Sequence, residues 1–476
     1  MHTFEIQRFY RIWKTQLILF FFMACVLQVL ALQLNAFFFS YALIPIFYLL
    51  AKCFTERYTQ AETPTWKVLR ELFTVSFIVR VLEALGLVAC CQFFYHSPFP
   101  NPDDELKYHE AMLAISNYWH EYGVQPIVAS KIEYSIGEYS GYPYFGALMM
   151  QIFGENVYAA RIGNAFLSSL TVLFAYGIMR TYLDKTYAYF GAVLIAFAPI
   201  FVVHSACNLK DTALLLAVSA ALWAMTNLII KKYWRLSFLC LTLALSSIIF
   251  NRVAVIFILL ASAGVFYLYL VAKLKGSPVF ILTLALVFSL VLLLWNYFAE
   301  LGMSRDFGQV VERLQAGAAR TLQHDSQVDL SETMAKIIGP PLFTLFSPFL
   351  PLGVYVNTGL DANQSWGGSY YVSHAMLFVM ALLPCALLGI AEAWRCRREY
   401  PTPLLLIVFF LVYKFAQALN LLSIFSPRQS LPAIFILYLL APLGITRLGE
   451  KKMTVSIINA CSIAMIVVYN LYRVYS

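Results

Sequence analysis

The chain is short of charge. Only 12% of its 476 residues are Asp, Glu, Lys or Arg, where a soluble domain carries roughly 25%. Hydrophobic residues make up 61% and the mean hydropathy is +0.73, which excludes an ordinary soluble enzyme and places the chain in lipid. It is also poor in cysteine motifs. Its nine cysteines form no Cys-x-x-Cys pair, which speaks against a zinc centre or a disulfide framework. Cys25, Cys90, Cys91, Cys240, Cys385 and Cys461 sit inside apolar runs, as small membrane-buried residues do. No internal repeat, low-complexity tract or soluble domain is evident, so residues 1–476 read as one integral-membrane domain.

Apolar runs are what the chain has in abundance. About 20 apolar residues cross the hydrocarbon core, and about thirteen such segments can be marked. They lie near 17–34, 36–53, 72–95, 157–182, 186–205, 210–230, 235–250, 253–272, 278–299, 371–394, 402–423, 430–448 and 453–472. Lys and Arg cluster at Arg8 to Lys14, Lys52 to Arg70, Arg180 to Lys185, Lys231 to Arg235, Lys273 to Lys275, Arg395 to Arg398 and Arg447 to Lys452. Alternate threading puts these clusters on one side, which the positive-inside rule makes cytoplasmic. The net charge of +8 follows from this bias and implies no nucleic-acid partner. The basic, apolar N-terminus lacks a small-x-small cleavage site and reads as a retained anchor. The expected fold is an all-α polytopic membrane protein with interfacial helices in two long outer loops, 96–155 and 300–373.

The first outer loop opens on Pro-Asp-Asp-Glu-Leu-Lys-Tyr-His-Glu-Ala-Met, residues 102–112, a dense acidic segment. Tyr108, Ala111, Met112, Ile115, Tyr118, Trp119 and Tyr122 recur at helical spacing until Gly123 and Pro126. Such a helix lies in the membrane interface. Asp103, Asp104 and Glu105 have a plain reading as its cap and first-turn acids. Their functional reading is a carboxylate fixed at a membrane surface for work on a lipid-linked substrate. In the second loop, Phe307, Val310, Val311, Leu314 and Leu322 suggest a scaffold helix.

Three cations, Lys210, Arg252 and Arg428, stand at the outer ends of expected spans, where snorkelling alone explains many such residues. Arg252 is the most suggestive, because Asn251-Arg252 is a polar break in a long apolar stretch. Arg80 and Glu83 are spaced to pair on one helix, and Lys414, Gln417 and Asn420 form a polar edge on another. Intramembrane ionisable groups also fit a transporter or flippase. That reading predicts two related halves, which the sequence does not show.

Asp104-Glu105 followed by Tyr108 and Ala111 resembles the Asp-Glu-x-x-Tyr-x-x-Ala signature of GT-C glycosyltransferases, which include protein O-mannosyltransferases and lipid A aminoarabinose transferases. Gly141-Tyr142-Pro143-Tyr144-Phe145, Phe153-Gly154-Glu155-Asn156, Ala160-Arg161 and the stretch Ser205 to Asp211 follow in a similar order. Where the family often carries Glu-Lys-Pro-Pro, this chain has Ser140-Gly141-Tyr142-Pro143, with Glu138 just upstream. The resemblance, which covers roughly residues 72–230, implies Asp104, Glu105 and Asp211 as catalytic residues and Tyr108 and Glu138 as substrate contacts; Lys210, Arg252 and Arg428, cations at outer span ends, are the substrate contacts that would stabilise charge on a departing phosphate. The resemblance also implies a polyprenyl-phosphate-type sugar donor, a glycan, lipid or protein acceptor, inversion at the sugar, and a site on the extracytoplasmic side, most readily of a bacterial inner membrane. A divalent ion (Mg, Mn, Zn or Ca) would use Asp104 and Asp211. A lipid-linked glycan polymerase or ligase shares the same substrate logic.

Overall fold

A computed structural model of the protein describes residues 2–30, 38–59, 65–99, 102–125, 141–230, 233–252, 254–274, 366–418, 430–451, 453–462 and 464. Its elements are helices, with no strand among the described residues. In chain order they are α1 (His2–Leu30), α2 (Phe38–Thr59), α3 (Thr65–Tyr95), α4 (Pro102–Tyr122), α5 (Gly141–Phe153), α6 (Ala159–Met179) and α7 (Lys185–Ala196). Then follow α8 (Pro199–Ala206), α9 (Asp211–Ile229), α10 (Trp234–Arg252), α11 (Ala254–Leu274), α12 (Trp366–Arg395), α13 (Pro401–Ala418) and α14 (Leu431–Ile445). A short apolar helix, Met453–Ser462, comes last.

The chain is an integral, multi-pass membrane protein. Thr65–Phe93, Ala159–Met179, Asp211–Ile229 and Phe378–Arg395 are each long and apolar enough to cross a bilayer, and several shorter apolar helices accompany them. The expected span at 278–299, most of the second outer loop, Glu138, Asn420 and Arg428 lie outside the described residues. Helix α14 is apolar all round and buried along nearly its whole length, so it forms the axis of the bundle. Around it pack α7, α8, α9 and α12. Stripes of exposed Ile78, Leu82 and Leu85 on α3, Leu236, Leu239 and Leu243 on α10, and Leu411 and Phe415 on α13 form the lipid-facing surface.

Two expectations need correction. The span at 186–205 is not one helix: α7 and α8 meet at a bend of 44°. Pro199 opens α8, and Ala198 before it is extended at φ −68 and ψ 118. Proline donates no hydrogen bond and pushes its predecessor out of the helical region, which hydropathy alone does not register. Arg80 does not pair with Glu83. Its fully buried guanidinium turns to Ser168 Oγ at 2.8 Å, to the carbonyl of Ala196 at 2.8 Å, and to Ser76.

Helices α12 and α14 touch backbone to backbone. A Cβ built on Gly389 would collide with the main chain of Leu440, and one on Gly444 with the carbonyl of Cys385. Small residues let membrane helices approach this closely, and van der Waals packing then supplies the association. Gly389→Val and Gly444→Val should each destabilise the protein by about 1–3 kcal/mol or more. Thermal unfolding in detergent reads this. Gly264→Ala is the control, since nothing lies within 4 Å of its added Cβ. Unchanged melting of the two valine variants would contradict the close approach.

Candidate functional site

The first turn of α4 carries an acid on its inward face. Glu105, Met112, Ile115 and Ser116 recur at helical spacing and are all fully buried, so the helix brings a carboxylate into the protein along with its apolar stripe. Glu105 Oε2 accepts from Arg161 Nη2 at 2.7 Å, and neither side chain has exposed surface. The same oxygen accepts from the backbone N–H of Asn208 at 2.8 Å. Burying two charges is favourable only when geometry and further hydrogen bonds are nearly complete, and here they are. Arg161 Nε donates to Ala206 O at 2.9 Å, Nη1 to Val157 O at 2.6 Å and Nη2 also to Pro98 O at 3.1 Å. Its guanidinium lies 5.6 Å from the centre of the Phe99 ring.

One turn along α6, Asn164 extends the network. Its Nδ2 donates to Tyr142 Oη at 2.8 Å, Cys207 O at 2.9 Å and Leu209 O at 3.1 Å. The Tyr142 hydroxyl donates in turn to Asn208 Oδ1 at 2.9 Å. Burial pushes the Tyr142 phenol well above its usual range, so it stays protonated and able to donate. Tyr108 meets the Tyr142 ring edge-on at 5.3 Å. Beside them, burial first and the Arg161 charge second hold the His109 imidazole below its usual value, which keeps it neutral at pH 7. Thus α4, α5, α6 and the α8–α9 turn are tied into one polar hub.

The hub holds the neighbours of its members. Asp104 precedes Glu105 and is half-buried. Lys210 and Asp211 follow the pinned Asn208 and Leu209, at the cap and first position of α9, and both are buried. The α9 N-terminus favours a negative group there. On α13, the buried Tyr413 lies within electrostatic reach of both Arg252 and Asp211. Asp211 and Arg252 come from separate connections, and both act electrostatically on Tyr413. Among the described residues no three His, Cys, Asp or Glu side chains gather to hold a metal ion. Glu105 Oε2 is engaged by Arg161 and Asn208.

Five members of this arrangement were not singled out from the sequence as site residues: Tyr142, Arg161, Asn164, Asn208 and Tyr413. A readable signal existed for two. Arg161 and Asn164 are polar residues one turn apart at the head of a largely apolar helix, where such groups are rarely idle. A double-mutant cycle tests the hub. Glu105→Gln or Arg161→Met alone leaves a buried partner uncompensated, at a cost of about 3–5 kcal/mol. The two together should cost less than the sum, with a coupling of about 0.5–3 kcal/mol by denaturant unfolding in detergent. Strict additivity would show that the pair does not act as a unit.

Residues 141–295 match the family model described as dolichyl-phosphate-mannose-protein mannosyltransferase. No curated protein sequence matches the chain significantly. Among solved structures, the archaeal oligosaccharyltransferase AglB from Archaeoglobus fulgidus, in complex with an inhibitory peptide and a dolichol-phosphate, aligns at TM-score 0.50 and 14% identity. That alignment covers 86% of this chain and 55% of AglB, so the chain spans about half the length of that relative. ArnT from Cupriavidus metallidurans bound to undecaprenyl phosphate aligns at TM-score 0.34 and 13% identity, over 82% of this chain and 79% of its own. In its first-loop motif, its matched central segment and its helical fold, the chain resembles the GT-C glycosyltransferases.

Proposed function

We propose that the protein is an inverting glycosyltransferase that moves a sugar from a polyprenyl-phosphate-type carrier to an acceptor hydroxyl at the extracytoplasmic membrane face. The observation that carries this is the hydrogen-bonded hub that holds Glu105 beside Asp104 and fixes Asn208 and Leu209 directly before the buried Lys210 and Asp211 at the start of α9. The family matched by residues 141–295 is described by its lipid-phosphate sugar donor, and AglB was captured with dolichol-phosphate, which supports the same carrier class. The Lys and Arg bias along the chain supports the outward side.

In this reading Asp104 takes the proton from the acceptor hydroxyl as its oxygen attacks the anomeric carbon. The bond from that carbon to the phosphate oxygen breaks, and the lipid phosphate leaves with the electron pair. Arg252 and Lys210 stabilise the charge that develops on it. Tyr108 borders the sugar, while Glu105 shares the work by holding the turn that bears Asp104. Arg428 and Glu138 are further substrate contacts of this proposal. A divalent ion would be held by Asp104 and Asp211 and would supply positive charge against the departing phosphate.

A flippase is the second reading, favoured by one feature of α13. Lys414 Nζ donates to Gln417 Oε1 at 3.0 Å, and Gln417 Nε2 to Ser430 Oγ at 2.7 Å, all three residues buried at the head of apolar α14. Sugar release from a labelled polyprenyl-phosphate sugar in liposomes separates the two. As a first-turn acid only, Asp104→Asn would cost about 0.3–1 kcal/mol of stability and little rate. As a general base it should lose roughly 10²-fold or more in rate. Glu121→Gln, exposed at the far end of α4, is the control. Equal, small losses in both variants would remove the base. Labelled lipid that crosses the bilayer with its sugar intact would favour the flippase.

A further inference from the structure

Arginine is expensive at the centre of a bilayer and persists there for a reason. Arg80 sits midway along α3 and is fully buried. Its hydrogen bonds go to two other helices and to Ser76 one turn earlier on α3. Nε donates to Ser168 Oγ on α6 at 2.8 Å, and Nη1 to the Ala196 carbonyl at 2.8 Å and the Ser76 carbonyl at 3.1 Å. Ala196 is the last residue of α7, and the bend lies just beyond it. The last carbonyls of a helix lack intrahelical partners and carry its negative end. Here α8 starts afresh from the Ala198 carbonyl, which accepts from Phe201 and Val202. The guanidinium therefore caps α7 at the break and fastens it to α6.

We infer that Arg80 is a positioning residue for the site, acting through α8. Helix α8 has eight residues, so it is a rigid lever about 12 Å long, and a change of about 10° at its base moves its tip by about 2 Å. That tip is Ala206, Cys207 and Asn208, whose backbone groups are bound by Arg161, Asn164 and Glu105. Helix α6 holds both ends of the lever: Ser168 lies at the bend, and Arg161 and Asn164, one to two turns earlier, lie at the tip. Lys210 and Asp211 follow directly. A misplacement of about 1 Å at a reacting centre can cost about 10²-fold in rate, so the bend angle is a functional quantity. The inference rests on reading the α8–α9 turn as part of the transferase site.

Hydrogen exchange over residues 197–211, read beside sugar release in nanodiscs, tests it. Arg80→Met, Arg80→Lys and Ser168→Ala are the variants. Lysine keeps the charge but cannot reach Ser168 and Ala196 together. The expected result is a turnover lower by about 10-fold or more with the donor KM little changed. Exchange should rise within 197–211 and not within 431–445, and melting should hold in Arg80→Lys and Ser168→Ala. Unchanged exchange over 197–211 would overturn the inference. So would full turnover despite faster exchange, or loss of activity that simply tracks a falling melting temperature in all three variants. If the wild-type protein releases no sugar, the transferase reading falls instead, and the exchange arm alone decides whether Arg80 sets the α8 tip.

Discussion

Glu105 and Arg161 bring opposite charges to 2.7 Å with no exposed surface on either side chain. Neither could be buried alone, because an uncompensated charge in such a place costs several kcal/mol. The chain must therefore assemble every group that completes the pair: the first turn of α4, the head of α6, the Pro98 carbonyl and the end of α8. Completing it fixes positions that carry chemistry in the proposed reaction. Asp104 is the sequence neighbour of one partner, and Lys210 and Asp211 follow the backbone that the pair and Asn164 hold. The structural demand of a satisfied buried charge and the functional demand of a placed carboxylate are met by the same contacts.

The rest of the bundle shows the same economy of polar groups. Apolar faces cannot tell one helix from another in lipid, so packing shape and a few directed contacts must decide. Gly389 and Gly444 supply shape between α12 and α14. At another point of that pair, Glu392 Oε1 accepts from Arg447 Nε at 3.2 Å and Nη2 at 2.9 Å. Arg80 supplies direction at the bend between α7 and α8. Glu105, Arg161, Arg80 and Glu392 are thus engaged across element boundaries, where they specify an arrangement that hydrophobic burial leaves degenerate.

The helical class, the membrane setting and α4 itself were legible because hydropathy and helical period are local signals. Arg252 was legible as a candidate for a similar reason, being a polar residue where apolar runs stop, whereas Asp104 and Asp211 became candidates through the motif resemblance. What local signals could not carry is partnership. The periodic rule paired Arg80 with Glu83 on its own helix, while the actual partners, Ser168 and Ala196, are distant in sequence. Glu105 showed as a helix-start acid and, through the family resemblance, as a catalytic candidate, but nothing local named Arg161 as its partner. The span at 186–205 showed as continuous because its residues are apolar on both sides of Pro199, and one missing N–H bends it without changing hydropathy.

The central claim is that the hub presents one lipid-phosphate site, beside Asp211 and Arg252. A cryo-EM structure in nanodiscs loaded with a polyprenyl-phosphate sugar tests it most directly. The account predicts phosphate density in contact with the Arg252 guanidinium, with the sugar's anomeric carbon turned toward Asp104 and the Glu105–Arg161 pair intact. Headgroup density seated instead at Lys414, Gln417 and Ser430, away from Arg252 and Asp104, would contradict it.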